Sequence, residues 1–193
     1  MNGGWAMCPI VAGDGIDLAR FQPPLEFETS FIAAEDTIPW HLWWTFNLFD
    51  DRGKNLGQGW GPGIQNVPGK GRAFINTFDF DPTRYSKGPL LNVEFDRELP
   101  QQLLTAKPLY MLIQILDPGH LRVGFKAAQA DRWMFSKVLD VQAVLGRKIG
   151  KIGFPCLASM QGRKGDKGWG VGNSPSYQRF LFDYVRFRYG RSE

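Results

Sequence analysis

Apolar and polar positions alternate with a period of two along most of this chain, and turn-forming residues separate the alternating runs. Such a pattern marks strands that bury one face. Nine runs carry it: Leu25 to Ile32, Trp40 to Phe49, Arg72 to Phe80, Leu90 to Glu98, Pro108 to Leu116, Leu121 to Ala127, Arg132 to Val138, Lys151 to Met160 and Gln178 to Tyr189. Pro23-Pro24, Asp51-Arg52-Gly53, Gly61-Pro62-Gly63, Pro68-Gly69, Lys87-Gly88-Pro89 and Asp117-Pro118-Gly119 interrupt them. The clearest hairpin is Asp117-Pro118-Gly119-His120, where Pro is preset for a turn and Gly tolerates positive φ. Helix is expected only in Pro100 to Ala106 or around Val138 to Leu145. Asp50 to Gly71 and Gly162 to Pro175 read as long glycine-rich loops, with one tryptophan each, Trp60 and Trp169. Loops of this length in a compact domain are usually functional or mobile.

The pattern predicts an all-β protein, a single antiparallel β-sandwich of jelly-roll type over residues 1–193. An apolar fraction of 43% with 7 Trp, 5 Tyr and 15 Phe is enough for a core and exceeds what packing alone suggests, so some rings are expected at the surface. The net charge of +4 is concentrated late, with ten Lys/Arg against three acids in residues 147 to 193. Those cations are dispersed rather than run together, which predicts a solvated basic face and not a nucleic-acid partner. Cys8 and Cys156 permit one disulfide and require none, and are read as free. Neither a signal peptide nor a membrane span is expected.

The segment Val93-Glu94-Phe95-Asp96-Arg97-Glu98 concentrates candidate chemistry. In an extended strand Glu94, Asp96 and Glu98 share a face, and three carboxylates on one face suit a cation, a sugar or water. In Trp40-His41-Leu42-Trp43-Trp44, alternation sends His41 and Trp43 to the face opposite Trp40, Leu42 and Trp44. There Trp43 offers a flat platform for a sugar and His41 a hydrogen bond, as Trp60 and Trp169 would from their loops. Gln114, His120, Arg122 and Lys126 sit on or beside one hairpin and carry the side-chain types that polysaccharide lyases use. Asp79 and Asp81 form another acidic face able to supply Ca²⁺ oxygens. Gly165-Asp166-Lys167-Gly168 lacks the strand-to-helix context of a phosphate loop.

Two of these segments resemble the concanavalin A-like superfamily of lectins and glucanases. Glu94-Phe95-Asp96-Arg97-Glu98 has the Glu-x-Asp-x-Glu spacing of laminarinase-type hydrolases, and Val93 to Asp96 is similar to the Val-Glu-Phe-Asp of legume lectins. Phe182-Asp183-Tyr184-Val185-Arg186-Phe187 looks like the superfamily's closing strand. The match departs at Arg97, where the glucanases carry an apolar residue, and at Pro100, which follows closely.

The resemblance implies a glycan partner and, from Glu94 and Asp96, a Ca²⁺ site. As a hydrolase it implies Glu94 as nucleophile, Asp96 holding its protonation state, and Glu98 as acid/base. A retaining pair stands ~5 to 5.5 Å apart, whereas i and i+4 on a strand are roughly 13 Å apart, so Glu94 and Glu98 would have to lean together or flank a bulge. Glycan recognition is the first expectation because it needs no such geometry. Polysaccharide cleavage is the second. The third is a structural or attachment protein of a virus particle, working as a homo-oligomer.

Overall fold

The computed structural model describes residues 6–9, 15–33, 40–66, 72–78, 91–94, 107–153, 156–161 and 180–190. Its strands are β1 Ala6–Pro9, β2 Ile16–Asp17, β3 Leu25–Ala33, β4 Trp40–Phe49, β5 Asn55–Asn66, β6 Arg72–Phe78, β7 Leu91–Glu94, β8 Leu109–Asp117, β9 His120–Lys126, β10 Met134–Phe135, β11 Leu139–Asp140, β12 Lys151–Ile152, β13 Cys156–Gln161 and β14 Phe180–Tyr189. A 3₁₀ turn spans Leu18–Arg20, and the helix α1 covers Val141–Leu145.

Two antiparallel sheets result. The first runs β1-β13-β4-β5-β6-β7, with β12 joining β2 to β4. The second runs β10-β9-β8-β3-β14, with β11 also on β9. Sequence neighbours β3 and β4 lie in different sheets, as do β13 and β14, while β14 pairs with β3 and β13 with β4. The chain passes from one sheet to the other at β2/β3, β3/β4, β7/β8, β11/β12 and β13/β14, which gives the jelly-roll sandwich expected from the alternation.

The core lies between the sheets. Leu25, Phe27 and Phe31 of β3 and Met111, Ile113 and Ile115 of β8 point inward from the second sheet, and Trp44, Phe46 and Leu48 of β4 meet them from the first. The rings of Phe27 and Phe46 stand 6.1 Å apart across the interface. Each fully buried side chain of this size contributes about 1.5–3 kcal/mol relative to exposure.

Several expected elements hold their bounds. Trp40–Phe49 is the full extent of β4, and the Asp117 hairpin has Pro118 and Gly119 as its two turn residues. Asp117 Oδ1 accepts the Gly119 N–H at 2.7 Å, which closes the turn. Among the described residues the positive-φ glycines are Gly15, Gly53, Gly146 and Gly190, and Gly119 is not one of them. The turn thus relies on the Asp117 side chain and not on a left-handed residue. Around Val138 to Leu145 the helix forms one short stretch, capped by Asp140, which accepts the Ala143 N–H at 2.8 Å, and ended by Gly146 at φ 68°.

Three expectations are corrected. Asn55–Asn66, read within the Asp50 to Gly71 loop, is the twelve-residue strand β5 between β4 and β6. Glycine at every second position, Gly57 to Gly63, gives no contrast of apolar with polar side chains, and pairing on both sides sets the strand despite poor propensity. Lys151 to Met160 divides into β12, which pairs with both β2 and β4, and β13, which pairs with β1 and β4. Arg132 to Val138 pairs as a strand only at Met134–Phe135. Asp79, Asp81, Pro100 to Ala106 and Gly162 to Pro175 lie outside the described residues. Cys8 stands opposite Leu157, and Cys156 opposite Pro9.

Candidate functional site

The polar constellation that the structure assembles lies on the outer face of the second sheet, away from the core. Inward Leu25 and Phe27 leave Glu26, Glu28 and Ser30 of β3 pointing outward, by strand alternation. On β8 the outward set is Tyr110, Leu112 and Gln114, and on β9 it is His120, Arg122, Gly124 and Lys126. A register shift between Phe182 and Tyr184 places Tyr184 opposite Ser30. Tyr184, Arg186 and Arg188 of β14 therefore join the same face.

The registers align these residues in rows across the strands. One row is Arg188, Glu26, Gln114 and Arg122; the next is Arg186, Glu28, Leu112, Gly124 and Phe135; the third is Tyr184, Ser30, Tyr110 and Lys126. The first row is continuously hydrogen-bonded. Arg188 Nε donates to Glu26 Oε2 at 2.9 Å, Gln114 Nε2 donates to Glu26 Oε1 at 2.7 Å, and Arg122 Nε donates to Gln114 Oε1 at 2.5 Å.

The second row centres on Glu28, only 3% exposed. Its Oε2 receives Arg188 Nη2 at 2.7 Å and lies 4.0 Å from Arg186 Nη1, and its Oε1 receives the hydroxyl of Tyr184. A carboxylate this buried is tolerable only when paired and hydrogen-bonded. Burial first, and then the hydrogen bond and charge of Glu28, push the Tyr184 hydroxyl well above its ordinary pKa. It therefore stays a neutral phenol and a donor. Burial works against the charge of Arg188, but Glu26 and Glu28 outweigh it and raise its pKa.

Aromatic rings flank these rows. Opposite Phe135, Gly124 has no side chain, and a Cβ built there would meet both the Phe135 and Trp133 rings at 3.2 Å. The missing side chain is what lets the two rings settle on the sheet. The Arg122 guanidinium lies 3.7 Å from the Phe135 centroid. Lys126 Nζ lies 4.6 Å from the Trp133 ring centroid and 5.1 Å from that of Tyr110, and donates to Gln129 O at 2.8 Å. Cations seated on ring faces gain the quadrupole attraction of cation–π contacts.

His120 stands at the hairpin end of this face. Its Nδ1 lies 2.9 Å from Asp117 Oδ1, and its Nε2 lies 3.9 Å from Asp140 Oδ2. Burial alone would raise the pKa of Asp117, but the Gly119 N–H and His120 outweigh it and hold it below the ordinary value.

The residues singled out from sequence fall elsewhere or are only partly brought together. Gln114, His120, Arg122 and Lys126 do share the outer face of the second sheet. His41 and Trp43 lie in β4, opposite Gln65 and Gly63 of β5, and Trp60 lies in β5 opposite Phe46. Trp60 thus belongs to a strand and not to a loop. Glu94 is the last residue of β7, opposite Phe74. These four are on the first sheet. Asp96, Glu98 and Trp169 lie outside the described residues. Among the described residues, no group of three or more His, Cys, Asp or Glu side chains is placed to hold a metal ion. Sequence reading missed Glu26, Glu28, Tyr110, Trp133, Phe135, Tyr184, Arg186 and Arg188. The available signal was the polar alternation Glu26-x-Glu28-x-Ser30 and Tyr184-x-Arg186-x-Arg188.

No protein-family model matches the chain, and no curated protein matches its sequence. Among solved structures, an alginate lyase from Pseudomonas aeruginosa is similar at 14% identity and a TM-score of 0.45, over 91% of this chain and 68% of that one. The CBM2 module of the evolved Dit of Lactobacillus casei BL23 phage J-1 is similar at 10% identity and a TM-score of 0.49, over 95% of this chain and 66% of that one. The exoplasmic/lumenal domain of VIP36, in a form bound to Ca²⁺ and Man2, is similar at 12% identity and a TM-score of 0.42, over 90% of this chain and 69% of that one. The chain spans about two thirds of the length of each. At these identities and scores the likenesses assign neither ligand nor reaction to it.

Proposed function

We propose that this protein recognises glycans on the outer face of its second sheet. The observation that carries the reading is the Arg188, Glu26, Gln114 and Arg122 row, whose side chains are fixed by hydrogen bonds to one another, beside the partly exposed rings of Trp133 and Phe135. Sugars present paired hydroxyls beside apolar C–H faces. A site for them joins oriented donors and acceptors to aromatic surface.

Tyr184, whose proton is held by Glu28, serves this face as an ordered donor and not as a base. The second sheet thereby replaces Trp43, Trp60 and Glu94 as the centre of the proposed site.

A glycan array spanning neutral and acidic polysaccharides, run with and without Ca²⁺ and checked for products, tests the reading. Binding without products is expected, and binding is expected to fall when Gln114 or Trp133 is replaced. Products lost on Glu94→Gln would move the function to cleavage on the first sheet. Silence on every glycan would overturn the proposal.

A further inference from the structure

We infer that the glycan taken by this face is acidic, its carboxylate or sulfate received by the guanidinium of Arg122; the inference rests on the reading above. Among the described residues the outer face carries the cations Arg122, Lys126, Arg186 and Arg188. Glu26 and Glu28 engage Arg188, and Glu28 also faces Arg186. Neither Arg122 nor Lys126 pairs with a carboxylate among the described residues. The nearby acids have other partners: Asp117 holds His120 and the Gly119 N–H, Asp131 accepts the Ala128 N–H at 2.9 Å, Asp140 caps α1, and Asp183 takes the Ser30 hydroxyl at 3.5 Å.

Arg122 is prepared for an anion in three respects. Its Nε is committed to Gln114 Oε1, and Gln114 is in turn oriented by Glu26, so the direction of the guanidinium is set by a chain anchored on a charge. Its plane is seated on Phe135 at 3.7 Å, which limits rotation. Its two terminal nitrogens have no partner among the described residues, which leaves a fork of N–H donors matched to two oxygens of one anion. Preorganisation of this kind lowers the ordering cost of binding. Lys126, four residues along the same strand face and 8% exposed, adds a second cation behind the rings and raises the local positive potential.

The test is calorimetric titration of the full chain with a polyuronate, a sulfated galactan, a neutral β-glucan and duplex DNA, using wild type, Arg122→Ala, Arg122→Lys and the exposed control Arg20→Ala. Melting curves check that each variant is folded. Expected are at least tenfold tighter binding of the polyuronate or the sulfated galactan than of the neutral glucan, and weakening by salt. A loss of roughly tenfold is expected in Arg122→Ala, for one charge-assisted fork. Arg122→Lys, which keeps the charge and loses the fork, should recover only part of it, and Arg20→Ala should bind as wild type. Which acidic polymer binds identifies the anion. Equal binding of neutral and acidic glycans, or an Arg122→Ala titration like wild type, would overturn the inference while leaving glycan recognition in place. DNA bound as tightly as the acidic glycans would overturn it in favour of a general polyanion surface. Binding of no glycan would overturn both readings.

Discussion

The side-chain amide of Gln114 donates to Glu26 Oε1 at 2.7 Å across neighbouring strands, while its oxygen receives Arg122. Gln114 is only 7% exposed. A neutral residue thus links a carboxylate to a guanidinium without letting them neutralise each other.

Replacing Gln114 by Leu severs that link and leaves two charged neighbours each short of a hydrogen bond. The expected cost is about 1–3 kcal/mol in urea unfolding, accompanied by weaker glycan binding. Loss of binding with unchanged stability would mean that Gln114 meets the ligand and does not order its neighbours.

Gly124 is expected to be as restrictive as a core position although it lies on the outer face. A Cβ there must displace two rings already at 3.2 Å. Gly124→Val should cost about 1–3 kcal/mol as overpacking does and shift tryptophan emission as Trp133 is pushed off the sheet. Wild-type emission and stability would show that the rings yield freely.

Alkaline pH should reveal the Tyr184–Glu28 contact. The folded pKa of Tyr184 lies above its unfolded value, so the associated stability is complete below the ordinary tyrosine pKa of about 10 and declines as pH rises beyond it toward the folded value. Tyr184→Phe removes this dependence, so its melting temperature should fall less steeply than that of wild type above about pH 10. Equal slopes would contradict the assignment.

Acid should act through Asp50 and Asp117. Burial raises the pKa of Asp50, but the backbone N–H of Lys54, with Arg147 and Arg52, outweighs it and lowers the value, as the Gly119 N–H and His120 do for Asp117. Both contribute stability that is present above the ordinary value of 3.8 and lost as pH falls below it through their folded values. Arg147→Ala should shift the acid limb of a pH-melting profile upward. An unmoved limb would show that Asp50 needs only its backbone donors.

Strand alternation was enough to read β4 at its full length and the Asp117 hairpin, because both are dictated by neighbours in sequence. The strand β5 was not legible: in Asn55-Leu56-Gly57-Gln58-Gly59-Trp60-Gly61-Pro62-Gly63 glycine fills every second position from Gly57 on, so no apolar face alternates with a polar one, and pairing on both sides makes it a strand. The site was half legible. Gln114, Arg122 and Lys126 stood out on their hairpin, but their partners Glu26 and Arg188 come from the ends of the chain. That pairing of β3 with β14 is a long-range fact that no local pattern contains.

The most direct test of the central claim is an NMR titration of isotope-labelled protein with the oligosaccharide that gives the strongest array signal, following tryptophan indole, arginine Nε and glutamine side-chain resonances. Glycan recognition on the second sheet predicts that Trp133, Arg122 and Gln114 shift together and saturate at one affinity. Shifts confined to Trp43 and Trp60, with Trp133 and Arg122 unmoved, would place the ligand on the first sheet and contradict the account.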